Sequence, residues 1–220
     1  MIILFDLDGT LIDSTEAILE SFTVTFKTFQ EEVPSDELIK AEIGHPLDVM
    51  FTTLGVEEEK VWEYVTAYKM HYRKISCAKT VLLPQAREAV ELASRHATLG
   101  VVTTKTAKYS IELLEHMGLM NHFEVLIGRE DVENPKPHPE PVHKALSKLQ
   151  SDTTNKCWMV GDTCMDMHAA KSAGIDAIAV TCGYGTEEVL AQCTENIHKN
   201  ALEAITFITS DKKSVIPSTL

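Results

Sequence analysis

A parallel α/β sheet with a helical bundle inserted after its first strand is the architecture this sequence predicts, and three observations predict it. Short apolar runs recur at residues 2–5, 99–103, 125–127, 157–160 and 177–180. Helix-period segments at 107–117, 139–149 and 165–173 lie between most of them. From residue 13 to about 81 the alternation stops and only helical patterns remain. Strands buried on both faces read as continuous apolar runs, and the helices between them supply the crossovers that a parallel sheet needs.

Taken in order, the first run ends at Asp6, and Asp13 with Glu16 three residues later has the form of a capping box opening a helix. The bundle helices are expected at 17–29, 35–43, 47–54 and 57–74. In the last of them Val61, Val65, Tyr68 and Tyr72 recur at helical spacing as one apolar stripe. Trp62 and Tyr68 are expected in the bundle core, and Trp158, inside an apolar run, in the sheet core. Pro84 suits the first turn of a helix whose Ala86, Ala89, Val90 and Ala93 share a face. Gly118 and Gly174 stand where glycines end helices. The polar tail 211–220, with Pro217, reads as a loosely held terminus.

Composition bounds the function. With 44% hydrophobic and 24% charged residues the chain is globular, and 220 residues can bury a substantial core. Thirty-three acidic residues against 20 basic ones give a formal net charge of −13, with no dense basic run. That disfavours nucleic acid and anionic membrane as partners. Cys77, Cys157, Cys164, Cys182 and Cys193 are odd in number and show no CxxC spacing, so neither a disulfide framework nor a zinc site is expected. With Asp6 following only five residues there is no signal-peptide pattern, and no run is long enough to span a bilayer. A soluble, cytoplasmic protein is the expectation.

The strongest chemical signal is Phe5-Asp6-Leu7-Asp8-Gly9-Thr10-Leu11, directly after the first strand. Parallel sheets place ligands at the carboxyl ends of their strands. Two carboxylates there can divide nucleophilic or metal-binding work from proton transfer. The second signal, Gly161-Asp162-Thr163-Cys164-Met165-Asp166, also follows a strand. Four acidic residues gathered at neighbouring strand ends repel one another unless a cation sits among them, and hard oxygen donors suit Mg²⁺. Thr103, Thr104 and Lys105 end the next strand, where a hydroxyl and free N–H groups can cradle phosphate. In Asn134-Pro135-Lys136-Pro137-His138-Pro139, three prolines fix the presentation of Lys136.

These four segments, in this order, resemble the haloacid dehalogenase-like phosphohydrolase superfamily over nearly the whole chain. The resemblance implies an α/β fold, a Rossmann-like parallel sheet core domain (residues 1–13 and 82–220) with an inserted helical-bundle cap domain (14–81). It implies Asp6 as a nucleophile that becomes an aspartyl-phosphate and Asp8 as the acid and base. Thr103 would bind the transferring phosphoryl, and Lys136 would steady nucleophile and phosphate. Mg²⁺ would be held by Asp6, the Asp8 carbonyl and Asp162, with Asp166 in support. Gly9, Thr10, Thr104 and Lys105 fall in the substrate-binding segments.

Asp8 and Thr10 are similar to the phosphatase branch rather than to the halide-displacing or mutase branches. Gly44-His45-Pro46 resembles the cap loop of phosphoglycolate phosphatases and of their pyrophosphate-hydrolysing relatives, which would aim His45 at the leaving group. The turn Gly183-Tyr184-Gly185 is similar to the same branch. The resemblance therefore implies a Mg²⁺-dependent phosphatase acting on a small phosphorylated metabolite, first 2-phosphoglycolate, then pyrophosphate or a sugar phosphate as in β-phosphoglucomutase-like enzymes, as a monomer or homodimer. A non-catalytic phosphate-sensing subunit should lack one of Asp6, Asp8, Lys136 and Asp162, and all four are present.

Overall fold

The structure, a computed structural model, describes residues 1–150 and 156–210; the tail 211–220 lies outside the described residues. In chain order the elements are β1 Ile2–Phe5, β2 Ile12–Asp13, α1 Thr15–Thr28, α2 Asp36–Glu42, α3 Leu47–Thr53 and α4 Val61–Lys79. There follow β3 Val81–Leu82, α5 Ala86–Ser94, β4 Thr98–Val102, α6 Ala107–His116, β5 Phe123–Ile127 and α7 Glu140–Lys148. The chain closes with β6 Cys157–Gly161, α8 Cys164–Ser172, β7 Asp176–Val180, α9 Glu187–Leu190, β8 Ile197–His198 and α10 Ala201–Ser210.

Six strands form one parallel sheet in the order β5-β4-β1-β6-β7-β8. The period-2 alternation of β1 serves both faces. Ile3 and Phe5 join Val90, Val101, Leu113 and Ile205 in one cluster. Ile2 and Leu4 join Val102, Val125, Val142 and Ala169 in the other. All four β1 side chains are buried, each stabilising by roughly 1.5–3 kcal/mol. The chain leaves β1 for β4 and β5, then crosses back to β6, so the order reverses at β1. Ligand crevices form at such a reversal, and both Asp-bearing motifs lie there.

Helices α1 to α4 share an aromatic core of their own, in which Phe22, Phe26, Phe51, Tyr64 and Tyr68 stack or meet edge to face. Two short strands bracket this insert, which the sequence suggested would hold none: Ile12 pairs with Leu82 and Asp13 with Val81, antiparallel. Two residues carry no periodicity to detect. The capping box is also corrected. Ser14 is the N-cap residue and makes no side-chain cap bond. Asp13 Oδ1 instead accepts from Thr15 N at 2.9 Å, and Glu16 pairs with Lys79 at 2.7 Å across the base of the insert.

Pro84 lies ahead of its helix rather than in the first turn, because Gln85 takes the N-cap position with φ +64°. Gly118 and Gly174 do follow α6 and α8 with φ of +66° and +73°, where a side chain would be strained. Trp158 is buried, as expected, whereas Trp62 is 63% exposed and sits outside the insert's core. The expectation of no disulfide is overturned at one place. Cys164 is bonded to Cys193 across a Cα separation of 5.7 Å, while Cys77, Cys157 and Cys182 are free. That bridge ties α8 to the segment after α9, a closeness that a sequence separation of 29 conceals. Among the described residues no helix is long and apolar enough to cross a membrane.

Candidate active site

Asp6 follows β1, Thr103 follows β4, and Asp162 follows β6, so the three meet because those strands are neighbours. Asp6 N donates to Val160 O at 2.9 Å and Thr103 N to Ile127 O at 3.0 Å, which continues the ladders and fixes both side chains. Carboxylate oxygens of Asp6, Asp162 and Asp166, all buried, lie within 4.8 Å of one another. The Asp8 carboxylate is outside this trio and lines the adjoining cavity instead.

One ammonium offsets the trio. Lys136, 3% exposed, places Nζ 2.8 Å from Asp6 Oδ1 and 2.6 Å from Asp166 Oδ1, and donates to Val102 O at 3.0 Å. The proline loop reaches this point because Glu140 of α7 accepts from the backbone N–H groups of Glu133 and Asn134 at 2.9 Å each. Burial alone would lower the Lys136 pKa, but the charges of Asp166 and Asp6 outweigh it and hold the pKa above the usual lysine value.

A single cation is too little. Burial raises Asp6 from 3.8 to about 7 against the pull of Lys136, and the neighbouring Asp166 adds to the rise. Asp162 is pushed well above its usual range by burial, then by the charges of Asp6 and Asp166. Oxygen-only donors, crowded and short of positive charge, fit a hard divalent cation such as Mg²⁺. Asp166 has less to offer it: Oδ1 is taken by Lys136, and Oδ2 accepts from Thr163 N and Oγ1 at 3.1 and 2.7 Å. Asp162 accepts one bond at each oxygen, from Thr10 Oγ1 at 3.0 Å and Tyr184 N at 2.8 Å, which leaves lone pairs free. Because the cation must displace protons held on raised carboxyls, its affinity should weaken as pH falls below 7, by about tenfold per unit for each proton displaced. Mg²⁺ titrations followed by calorimetry from pH 8 to pH 5.5 check this; a flat affinity would contradict it.

Thr10 and Gly9, expected in the substrate-binding segments, both lie against Asp162. Thr10 is fully buried, and its hydroxyl orients Asp162. Gly9, at φ +80°, sits where any Cβ would overlap the Asp162 carboxylate. Gly183, missed in the sequence except as a turn, has the same constraint, since a Cβ there would overlap both that carboxylate and Gly9 O. Gly183→Ala should therefore displace Asp162 and lower Mg²⁺ affinity by roughly 10- to 100-fold, the range for losing support of a metal ligand. An activation curve against Mg²⁺ concentration measures it.

The cavity above Asp6 is about 200 Å³ and is lined by both the sheet side and the helical insert. Asp8, Thr103 and Lys105 face it from below, and His45 faces it from the loop before α3. Lys105 Nζ lies 3.0 Å from Asp8 Oδ2 and donates to Tyr72 Oη at 3.0 Å. Asp8 Oδ1 is buried with no hydrogen-bond partner. Thr104 also lines the cavity, and its hydroxyl donates to Gly44 O at 2.7 Å, which joins the sheet side to the insert. Arg129, 3.9 Å from Asp48, spans the same gap. Thr15 Oγ1 and Tyr184 Oη share a 3.0 Å hydrogen bond at the base of the insert. Tyr184 is signalled only by its Gly183-Tyr184-Gly185 turn, and Tyr72 and Arg129 give no motif signal, since they are recruited by tertiary proximity.

A parallel sheet with acidic residues at its reversal point and a helical insert over them defines a hydrolase class, and comparison with known proteins agrees. Residues 3–180 match the model of the haloacid dehalogenase-like hydrolases, and the chain belongs to that family. It is 35% identical to the "Probable phosphatase IndB" of Dickeya dadantii over 86% of this chain and 84% of that one. It is 30% identical to a phosphoglycolate phosphatase of Colwellia psychrerythraea over 87% and 88%. A solved haloacid dehalogenase-like protein of Streptococcus pneumoniae superposes with a TM-score of 0.84 at 29% identity, over 94% of this chain and 97% of that one. The protein is a phosphatase of this family, in its phosphoglycolate phosphatase-like branch.

Proposed function

We propose that this protein hydrolyses a small phosphomonoester by way of an aspartyl-phosphate on Asp6, with residues 14–81 acting as a cap. The observation that carries this reading is the buried Asp6 carboxylate, held against Lys136 within a trio of acidic groups and lining a cavity between sheet and insert. Asp6, the Asp8 carbonyl and Asp162 would hold Mg²⁺, which when bound neutralises charge between carboxylate and phosphate.

The chain's own groups do the rest. An Asp6 oxygen bonds to phosphorus as the ester P–O bond breaks, and Thr103 Oγ1 hydrogen-bonds the transferring phosphoryl. Thr103 has its hydroxyl hydrogen free for this, because Oγ1 accepts from Lys105 N at 3.2 Å. Asp8, with Oδ2 held by Lys105, gives a proton to the departing alkoxide from Oδ1. The same carboxylate then takes a proton from the water that cleaves the acyl phosphate, which returns Asp6 and releases phosphate. The Thr104–Gly44 and Lys105–Tyr72 contacts would hold the cap over the site and so help exclude bulk water.

The names of the relatives favour 2-phosphoglycolate as substrate. Phosphate release from 2-phosphoglycolate, pyrophosphate, phenyl phosphate and a hexose phosphate, with Mg²⁺ and with EDTA, tests the reading. Metal-dependent turnover of at least one ester is expected; inertness toward all of them, or indifference to EDTA, would refute it.

A further inference from the structure

Tyr68 occupies the middle of α4 and is 4% exposed. Its ring is fixed on three sides, stacked on Tyr72 at 5.6 Å and edge-on to Phe22 at 5.0 Å and Phe51 at 6.1 Å. Its hydroxyl, by contrast, makes no hydrogen bond among the described residues, although the cavity-facing Tyr72 hydroxyl binds Lys105. A phenylalanine would fill the same aromatic cluster, so the packing of the ring does not account for the hydroxyl. The residue lines the cavity above Asp6, as Asp8 and Lys105 do. Burial raises the phenol well above its ordinary pKa, so it is a donor at neutral pH.

The cap wall around Tyr68 tells what such a donor would meet. Ile43, Met50 and Val65 are apolar and buried, which confines a leaving group to a compact shape. Of the acidic residues lining this wall, Asp48 faces Arg129 and Glu130 accepts from Ala107 N at 2.9 Å. Lys69 of α4 lines the cavity with no ion pair among the described residues. One free cation and one free donor suit an anionic oxygen.

Resting on the phosphatase reading above, we infer that Tyr68 is a specificity-determining residue whose hydroxyl binds an anionic oxygen of the leaving group, selecting esters whose alcohol carries a second negative charge. Carboxylate and phosphate oxygens share this chemistry, and 2-phosphoglycolate and pyrophosphate represent the two.

Tyr68→Phe in the full-length protein with Mg²⁺ is the test. With the better of 2-phosphoglycolate and pyrophosphate, the ratio of its kcat/KM to that for phenyl phosphate should fall by roughly 10- to 100-fold, the loss of one hydrogen bond to a charged group. The change should lie mainly in KM, and the melting temperature should not drop. A ratio unchanged within twofold, or a wild-type enzyme that prefers phenyl phosphate to both anionic substrates, overturns the inference. Retained turnover of phenyl phosphate by Asp6→Asn would strike at the phosphatase mechanism instead, so the two failures are separable.

Discussion

Asp6→Asn should leave a folded protein whose turnover is reduced by at least about 10⁴-fold, the scale on which loss of a covalent nucleophile is felt. The amide keeps the shape of the carboxylate but cannot attack phosphorus. Folding should survive, because the charge removed is one the structure holds at a cost. Burial raises the Asp6 pKa from 3.8 to about 7. A carboxyl whose folded pKa is raised binds protons more tightly in the folded state, so the metal-free protein loses stability as pH climbs from about 4 to about 7. Asparagine has no such loss. At pH 8 without Mg²⁺ the variant should melt no lower than the parent, and at pH 5 the two should converge. Calorimetry at both pH values, with phosphate release as the partner measurement, distinguishes chemical from structural failure. A variant that is inactive because it is unfolded would show its defect in the melt.

The features legible in the sequence are those written in local pattern. Strand β1 is four consecutive apolar residues ending at Asp6, and its neighbours β4 and β6 announce themselves the same way. The acidic pairs and the proline-framed Lys136 sit at fixed offsets from those runs, so their convergence follows once the sheet is parallel. What escaped depends on distance in sequence. Strands β2 and β3 have two residues each, and the Cys164–Cys193 pair has no spacing rule. The hydroxyl bonds of Thr10 to Asp162 and of Thr104 to Gly44 O likewise join residues 152 and 60 positions apart and leave no local pattern. Trp62, expected in the bundle core, is turned outward by α4 while Val61 and Val65 face in. Helix α10, whose Ala204 and Ile205 pack on the β1 face of the sheet, carries no catalytic motif and drew no expectation.

Lys136→Ala should be the most damaging single change to both stability and catalysis. The ammonium is buried and meets three oxygens, from Asp6, Asp166 and Val102. Removing it strands two carboxylates with no counter-charge, and breaking a buried pair in this way costs about 3–5 kcal/mol. For a chain of this size that lowers Tm by roughly 6–20 °C. The sign of the pH dependence follows from the shifts. Lys136 has a raised folded pKa, so its contribution in the parent is complete below the ordinary lysine value of 10.5 and fades only at higher pH. The variant's defect should therefore be present already at pH 5, through the lost Asp166 and Val102 contacts, and should grow as the parent's Asp6 ionises through about 7. Saturating Mg²⁺ should restore part of the stability, since it supplies positive charge to the same oxygens, but not the rate, because the contact steadying nucleophile and phosphoryl is gone. Lys136→Arg should fail as well: a planar guanidinium cannot occupy a 3% exposed site shaped to a compact ammonium. Melting curves across pH 5 to 8, with and without Mg²⁺, decide the matter, and an alanine variant as stable at pH 8 as at pH 5 relative to the parent would show that Lys136 is not the counter-charge of this site.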